Sequence, residues 1–538
     1  MSFTTKFSAT LCLTLVLAAG RRALAVNDWS VPCTQGKCSW DLPADSSASG
    51  ALHIWGPTSA ISDITPAAGW QITTNCDPSA TTQKIQLVCQ DSNPDCDHLF
   101  QGGGAVDTIV RVPDGCGPIP FARVAQHQIL QSNLSSRASE APVHELALDT
   151  NFTAATPSQD GNVHFSIQGM NSNIGSPARR GHQRRVRSLT SSRDKIYRRH
   201  FLASGVNAPR GLGSFNHTLA ANPIPIDFSG VTNLFNTSIE CPASAAIPIS
   251  SSASVSLDVG ADVHVTVGLG AVAAGSLIPP SITEFGLTIA LDGNVDANLS
   301  VVANISGQVS SPSITLFQIG IPGLSFPGIL EVGPEFKLMS QFDAKFGLNN
   351  INAAVDLNYN LSGVSFVFPP QAGSNVDGIT PGSKQVTIST SPDVGATFEA
   401  TGHLIPQVDI GLSALGGIAS TTVFLNLDAS ADFTVSTTSI ASPQPCVNAS
   451  SDLNVGVGAQ GSFFDLFNAS VGTSLFDKEF PLFQKCFGPA NPSSTAPPAT
   501  VTLSSLRRRH DSPRARHLAL FGGSLRPLHA KRLDLSCP

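Results

Sequence analysis

Residues 255–270 read VSLDVGADVHVTVGLG, and this stretch decides the fold class. Its odd positions (Val255, Leu257, Val259, Ala261, Val263, Val265, Val267, Leu269) are apolar. Its even positions are polar or glycine and include Asp258, Asp262 and His264. Successive side chains of a strand point to opposite faces, so a period of two held this long predicts a β-strand with one dry and one wet face. At about 3.3 Å per residue an unbroken strand here would extend ~50 Å, well beyond the usual length.

Working outward, the same rule recurs. Phe285–Val309 keeps its odd residues mainly apolar, with Asp292-Gly293-Asn294 read as a hairpin turn inside it. Ile319–Pro334 is spaced by Pro and Gly and reads as a loop. Phe336–Leu348 turns its even residues inward, and the phase flips at Asn349-Asn350, a second hairpin signal, before Ile351–Leu361. Val394–Leu412, Val423–Val435, Leu453–Phe463 and Phe467–Leu475 continue in kind. About eight to ten strands with one polar face each, no helical period and no βαβ alternation predict an antiparallel sandwich or a curved or closed sheet.

The chain of 538 residues divides by composition. Residues 1–25 combine Lys6, an apolar run from Phe7 to Ala19 and Ala23-Leu24-Ala25, the pattern of a secretory signal peptide. The run is too short to span a bilayer, and no later segment is long and apolar enough, so no transmembrane segment is expected in the mature chain. Residues 26–170 hold six cysteines and all four tryptophans, and read as a small disulfide-rich β module. Residues 171–222 read as a basic disordered linker, 223–488 as the large acidic antiparallel β domain, and 489–538 as a Pro/Ser/Thr-rich, basic, disordered tail. The fold class is therefore all-β throughout.

Of eleven cysteines, Cys12 leaves with the signal peptide, and the remaining even number suits an oxidising compartment. Short loops favour neighbour pairs: Cys33–Cys38, Cys76–Cys89 and Cys96–Cys116 in the module, and Cys446–Cys486 around the last strands. Cys241 and Cys537 are left without an assigned partner. Nine N-x-Ser/Thr sequons, at Asn133, Asn151, Asn216, Asn236, Asn298, Asn304, Asn360, Asn448 and Asn468, agree with export. Arg180, Arg185 and Arg199 each close a dibasic pair of the kind that processing proteases cut in exposed segments.

Charge is uneven. Residues 179–210 carry ten Lys/Arg and residues 507–532 eight, whereas residues 211–506 hold five Lys and no Arg against 21 Asp/Glu. Such an acidic body repels nucleic acid, which is excluded as a partner.

Catalytic patterns are sparse. Gly456-Val-Gly-Ala-Gln-Gly461 matches the dinucleotide fingerprint literally but sits in a strand pattern with no helix behind it. No local serine-hydrolase, P-loop, zinc-protease or EF-hand pattern occurs, and no catalytic residue, metal or cofactor is assigned. His264 and His403 lie on wet faces, and Glu399 shares the face of His403, so a His–carboxylate pair is conceivable there. Asp258/Asp262, Asp292/Asp296 and Asp428/Asp432 recur four residues apart, but that spacing is about 13 Å along a strand, too far to share one ion. Such rows read first as solvated faces that keep the sheet soluble. Residues 211–488 contain 21 Phe, no Trp and one Tyr, Tyr359, a composition suited to a dry core rather than to sugar stacking or membrane girdles.

Ile54–Trp70 (IWGPTSAISDITPAAGW) and Cys96–Gly117 (CDHLFQGGGAVDTIVRVPDGCG) resemble an uncharacterised family of secreted proteins from mushroom-forming fungi, and the likeness continues through Ile321–Leu338 to Lys485–Gly488. The resemblance implies the same order of signal peptide, Cys-rich module, linker and long β domain, and implies no activity. The expected function is a secreted, N-glycosylated, non-enzymatic extracellular or cell-wall module with wall polysaccharide as partner. Two alternatives stand beside it: a carrier of an apolar small molecule within the β domain, and a hydrolase whose site is assembled from distant carboxylates.

Overall fold

In a computed structural model, the alternating stretch becomes the middle of one strand, Ser251–Ile278, 28 residues long. The structure describes residues 27–42, 48–90, 94–130, 142–156, 161–171, 223–242, 251–303, 306–347, 351–369, 378–382, 385–388, 397–437, 445–461, 463–464, 471–486 and 532–536. The expected leader, the dibasic sites Arg180, Arg185 and Arg199, the sequons at Asn133, Asn216, Asn304 and Asn468, and Cys537 lie outside these residues. The described residues are strand with four short 3-10 turns and no α-helix.

In chain order the strands are β1 (Lys37–Asp41), β2 (Ala48–Trp55), β3 (Ile61–Asp63), β4 (Trp70–Ile72), β5 (Thr82–Cys89), β6 (Ile109–Arg111), β7 (Phe121–Leu130), β8 (Val143–Asp149) and β9 (Val163–Asn171). Then follow β10 (Ile224–Cys241), β11 (Ser251–Ile278), β12 (Ser281–Ala303), β13 (Ser306–Ser310), β14 (Ile314–Gly320), β15 (Leu324–Phe326), β16 (Leu330–Gly347) and β17 (Ile351–Phe368). The last are β18 (Ile379–Pro381), β19 (Gln385–Ile388), β20 (Thr397–Ala414), β21 (Ala419–Thr437), β22 (Pro445–Gln460), β23 (Val471–Cys486) and β24 (Arg532–Ser536).

They form three sheets. The front sheet runs β1-β2-β9-β11-β12-β17-β18, with β10 also on β11 and β19 on β17. The back sheet runs β23-β22-β21-β20-β16-β13-β24, with β14 and β15 also on β16. A small sheet, β3-β6-β7-β8-β5-β4, shares no strand pairing with them, though its Ile61, Ile109 and Phe121 pack into the core of the sandwich. All pairings are antiparallel except β3 with β6.

The front and back sheets stack as a sandwich. Val259, Val263 and Val265 of β11 share one core with Leu404, Val408 and Ile410 of β20 and Leu425 of β21. At the other end Val255 and Leu257 meet Phe342, Phe398 and Phe433. All eight odd positions of 255–269 are buried, while Asp258 and Asp262 are half-buried and His264 is exposed. Burying each Val or Leu contributes about 2 kcal/mol, so a one-residue slip that exposed the set would be prohibitive. Tyr359 crosses the core from β17 and hydrogen-bonds the buried Ser451 hydroxyl of β22.

Two expected hairpins are absent. Asp292-Gly293-Asn294 lies inside β12, which pairs with β11 from Ser281 to Ala303. Gly293 takes φ +139°, and a Cβ there would fall 2.0 Å from the His264 carbonyl oxygen. Glycine thus supplies a strand irregularity, marked by the register shift against β17 between Leu291 and Gly293, rather than a reversal. Between Gly347 and Ile351 the chain changes sheets: β16 pairs with β20, and β17 with β12. The expected loop 319–334 also contributes β15, which adds to β16.

Strand pairing crosses the compositional boundary near residue 170. β1, β2 and β9 extend the front sheet, because β9 pairs with residues 270–278 of β11 directly beyond β10, which takes residues 251–267. Trp40 meets Phe326 of the back sheet edge-on at 6.1 Å. At the far end of the chain, Arg532–Ser536 is not structureless but forms β24, with the alternating pattern RLDLS.

The disulfides are Cys33–Cys38, Cys76–Cys116, Cys89–Cys96 and Cys446–Cys486. Cys76–Cys116 and Cys89–Cys96 replace the neighbour pairs expected from loop closure. Cys89 ends β5 opposite Trp70, and the 3-10 turn Pro94–Phe100 brings Cys96 onto Gly69, adjacent to Trp70. Loop entropy varies slowly with length, so this packing decides the pairing.

Candidate functional site

The outer face of the front sheet is a ladder of short polar side chains. Register places Asp227, His264, Asn294 and Asn360 in one row across β10, β11, β12 and β17, with Ser229, Asp262, Asp296 and Asn358 in the next. Asn358 donates to Asp296, Asn298 donates to Asp356, and Asn233 donates to Asp258. His264 contacts Asp227 through Nδ1 at 2.9 Å and Asp262 through Nε2 at 3.0 Å. The Asp227 hydrogen bond and the charges of Asp262 and Asp227 hold its pKa above the usual imidazole value. Its side chain is 56% exposed, so water screens the pair heavily.

The outer face of the back sheet is more acidic and better covered. His403 on β20 contacts Asp428 on β21, Nδ1 to Oδ1 2.8 Å, and this hydrogen bond raises its pKa against the opposing effect of burial. Glu399, four residues away, instead faces Lys345 across the β16–β20 ladder at 3.4 Å. Thr401 donates to Asp432 at 2.6 Å. Asp452 on β22 lies beside Asp432 and faces Glu479 and Asp477 on β23; burial first, then the Asp432 carboxylate, push its pKa up to about 6. Ser430 stands opposite His403 in register, but its hydroxyl is turned to Asp432 at 3.5 Å. The His403–Asp428 pair therefore lacks the aligned serine that nucleophilic catalysis requires.

Each of the two histidines singled out in the sequence thus has an aspartate partner, on opposite faces of the sandwich and on flat sheet surface. The three i, i+4 aspartate pairs are divided among separate hydrogen bonds: Asp292 accepts from the Gly363 amide, and Asp296, Asp428 and Asp432 accept as above. Among the described residues no group of three or more His, Cys, Asp or Glu side chains could hold a metal ion. Gly456 to Gln460 belong to strand β22. A shallow trough of about 1010 Å³ crosses the other end of the back face, bordered by Ser325, Glu331, Ser413, Thr422 and Gln460 around Gly333 and Gly411. Between the sheets, the void beside Tyr359 and Pro406 is about 10 Å³, at most one water.

In the small sheet, Trp70 is buried against Phe100 and His144, and His144 Nδ1 lies 3.0 Å from His127 Nε2. Burial lowers the pKa of both imidazoles, and His127 lowers that of His144 further. Trp40 and Trp70 are core residues, Trp29 lies under the Arg111 guanidinium, and Trp55 is 42% exposed and stacked on His164. Of the sequon asparagines within the described residues, Asn151, Asn236, Asn360 and Asn448 are exposed and Asn298 is half-buried.

Among the described residues no helix is long and apolar enough to cross a membrane. Neither the curated proteins nor the solved structures contain a match to the chain. One family does match: residues 280–488, from just before β12 to just after β23, fit a domain of unknown function, DUF7223.

Proposed function

We propose that this protein is a secreted, N-glycosylated, non-enzymatic interaction module of the extracellular space or cell wall, of the kind found in mushroom-forming fungi, with wall polysaccharide as its partner. One observation carries the reading. Both outer faces of the sandwich are ladders on which Asp258, Asp296, Asp428 and Asp432 are engaged with neighbouring side chains, and the back face also carries the shallow trough beside Glu331 and Gln460. Flat hydroxyl-, amide- and carboxylate-bearing surfaces suit repeated hydrogen bonding to a polymer rather than enclosure of a small substrate. Four disulfides and exposed sequon asparagines support an oxidising, glycosylating route.

The full chain is the right probe, because excising residues 26–170 would strip β9 from β11. Incubated with insoluble chitin, β-glucan and mannan, it is expected to be retained on at least one and released by the soluble oligosaccharide. Passage through all three sinks the wall-binding reading. The carrier alternative would draw on a void between the sheets, and the one beside Tyr359 and Pro406 is about 10 Å³, at most one water. The hydrolase alternative draws on Asp452, a carboxylic acid whose pKa is pushed up to about 6 and which stands in the row of His403, across Ser430. Turnover of glycoside or ester substrates lost in His403→Ala would favour it.

A further inference from the structure

We propose that the trough on the back face is where a neutral polysaccharide chain binds, an assignment that rests on the wall-polysaccharide reading above. Strand register builds the trough from two adjacent rows. One runs Gly333, Gly411, Thr422 and Gln460 across β16, β20, β21 and β22. The other runs Ser325, Glu331, Ser413 and Ser420 across β15, β16, β20 and β21. These positions face outward, because the residues alternating with them (Leu324, Val332, Leu412, Val423 and Ala459) belong to the buried core. The enclosed volume, about 1010 Å³, lies at the upper end of the range for ligand clefts. From β15 to β22 is four strand spacings, about 19 Å, room for several sugar units in line rather than one.

Nothing in the fold requires glycine at the two central positions. β16 and β20 are interior strands of the back sheet, and glycine within a strand weakens it. At Gly402, also on β20, a Cβ would fall 2.5 Å from the Leu299 side chain, so that site demands glycine. At Gly333 a Cβ would meet nothing within 4 Å, and at Gly411 only the Gly333 carbonyl oxygen at 3.5 Å, an ordinary contact. Neither residue has a positive φ. A strand glycine without such a cause marks a place where another molecule comes close to the backbone. What the pair supplies is the depression itself, between the row of Glu331 and Ser413 and the row of Glu335, Asp409 and Phe424.

The lining selects the ligand. Its outward side chains offer hydroxyls, the Gln460 amide and the Glu331 carboxylate, and no Lys, Arg or His is among the described residues that border it. An anionic polymer would meet Glu331 with no cation to offset it, and a polycation would find one carboxylate. Hydroxyl and amide groups suit the hydroxyls of a neutral glycan, each of which donates and accepts. An extended peptide is recognised through its backbone at a sheet edge, whereas the backbones of β20 and β21 are committed to ladders on both sides.

The test takes the full chain to insoluble chitin, β-glucan and mannan, with soluble oligosaccharides of each as competitors. Gly411→Val and Gly333→Val fill the floor; both should fold with unchanged or raised melting temperature. Each is expected to lose about tenfold or more in affinity for whichever polymer retains the unaltered chain. Gln460→Ala, a change at an exposed side chain, should weaken binding about fivefold, the loss of one hydrogen bond. Gly270→Val, on the outer face of the front sheet where a Cβ also meets only ordinary contacts, should leave retention unchanged. Full retention of the three trough variants, or equal loss in Gly270→Val, overturns the site while the wall-binding reading stands. If a valine variant fails to fold, Gln460→Ala decides: undiminished retention overturns the site. Passage of the unaltered chain through all three polymers removes both the reading and the site. Release by an uncharged Gly/Ser-rich peptide, and by none of the oligosaccharides, overturns the proposal in favour of a peptide groove.

Discussion

The small sheet and the sandwich are held by opposite means, and they answer acid in opposite ways. The small sheet is short-stranded, stapled by Cys76–Cys116 and Cys89–Cys96, and built around Trp70 and the buried Arg123 bridges to Asp107 and Asp149. On its β3 and β6 strands, fully buried Asp63 accepts from the Cys33 amide and the Arg111 guanidinium. The sandwich has nine strands of 16 residues or more and needs no such anchors in its centre. Long alternating strands bury apolar area in proportion to their length, whereas short ones must find cross-links and charge pairs to offset the same chain entropy.

Their titrating groups follow this division. His127 and His144 are buried with lowered pKa, so the fold binds fewer protons than the unfolded chain, and the small sheet loses stability as pH falls below about 6.5. In the sandwich, Asp452 holds its proton in the fold up to about 6, against 3.8 for an ordinary aspartate, so stability falls as pH climbs through that window. His403 adds stability that is full below 6.5 and lost as pH rises through its elevated folded value. The sandwich is thus favoured by mild acid and the small sheet by neutrality.

The contrast can be broken most forcefully at Arg111. Arg111→Ala leaves the fully buried Asp63 carboxyl without its guanidinium partner, and should cost about 4 kcal/mol in urea unfolding followed by tryptophan fluorescence. A loss below about 1 kcal/mol would mean the charge pair is dispensable. In the sandwich, Leu338→Ala removes a side chain with 0% exposure and should cost about 3 kcal/mol, seen as lowered protection of β16 and β20 amides in hydrogen exchange. Uniform loss of protection including the small sheet would show that the two regions unfold as one.

Smaller changes sharpen the pH comparison. Asp452→Asn should stabilise the sandwich by about 1 kcal/mol above pH 6, after allowance for screening, and do little at pH 4. His144→Phe should flatten the small sheet's dependence between pH 5 and about 6.5. Calorimetry from pH 4 to 8 should accordingly show two transitions that move in opposite directions; parallel movement would refute the assignment. Last, a cut at Arg180, Arg185 or Arg199 should leave native elution unchanged, because β9 and β10 both remain on β11. Separation of the two pieces without denaturant would show that the β9–β11 seam is weak.

The faces of the strands were readable in the sequence, and the sheets were not. A period of two says which side of a strand is dry but not which sheet the strand joins. The phase flip at Asn349-Asn350 therefore reads equally as a hairpin or as the sheet change that occurs between Gly347 and Ile351. His264 and Asp262 are two residues apart on one strand, so that contact was legible as a shared face. His403–Asp428 joins two strands near a break in their register, between Leu404–Ala429 and Gln407–Asn426, and no local pattern encodes it. Glu399 shares the face of His403 but lies two side-chain repeats away, about 13 Å along the strand. The carboxylate ladders were visible as spacing; that they are divided among neighbouring donors depended on register.

β11 has a mechanical consequence. It is hydrogen-bonded to β12 from Val255 to Ser276, to β10 over its first part and to β9 over its last. A pull that separates the N-terminal region from the sandwich along this axis loads those ladders in shear, so many bonds must yield together instead of opening one at a time. The 28-residue strand is in effect a tie-rod running the length of the molecule. Tension applied at the N-terminal strands would reach the sandwich through the eight β9–β11 pairs, which makes that seam the place where the molecule parts first.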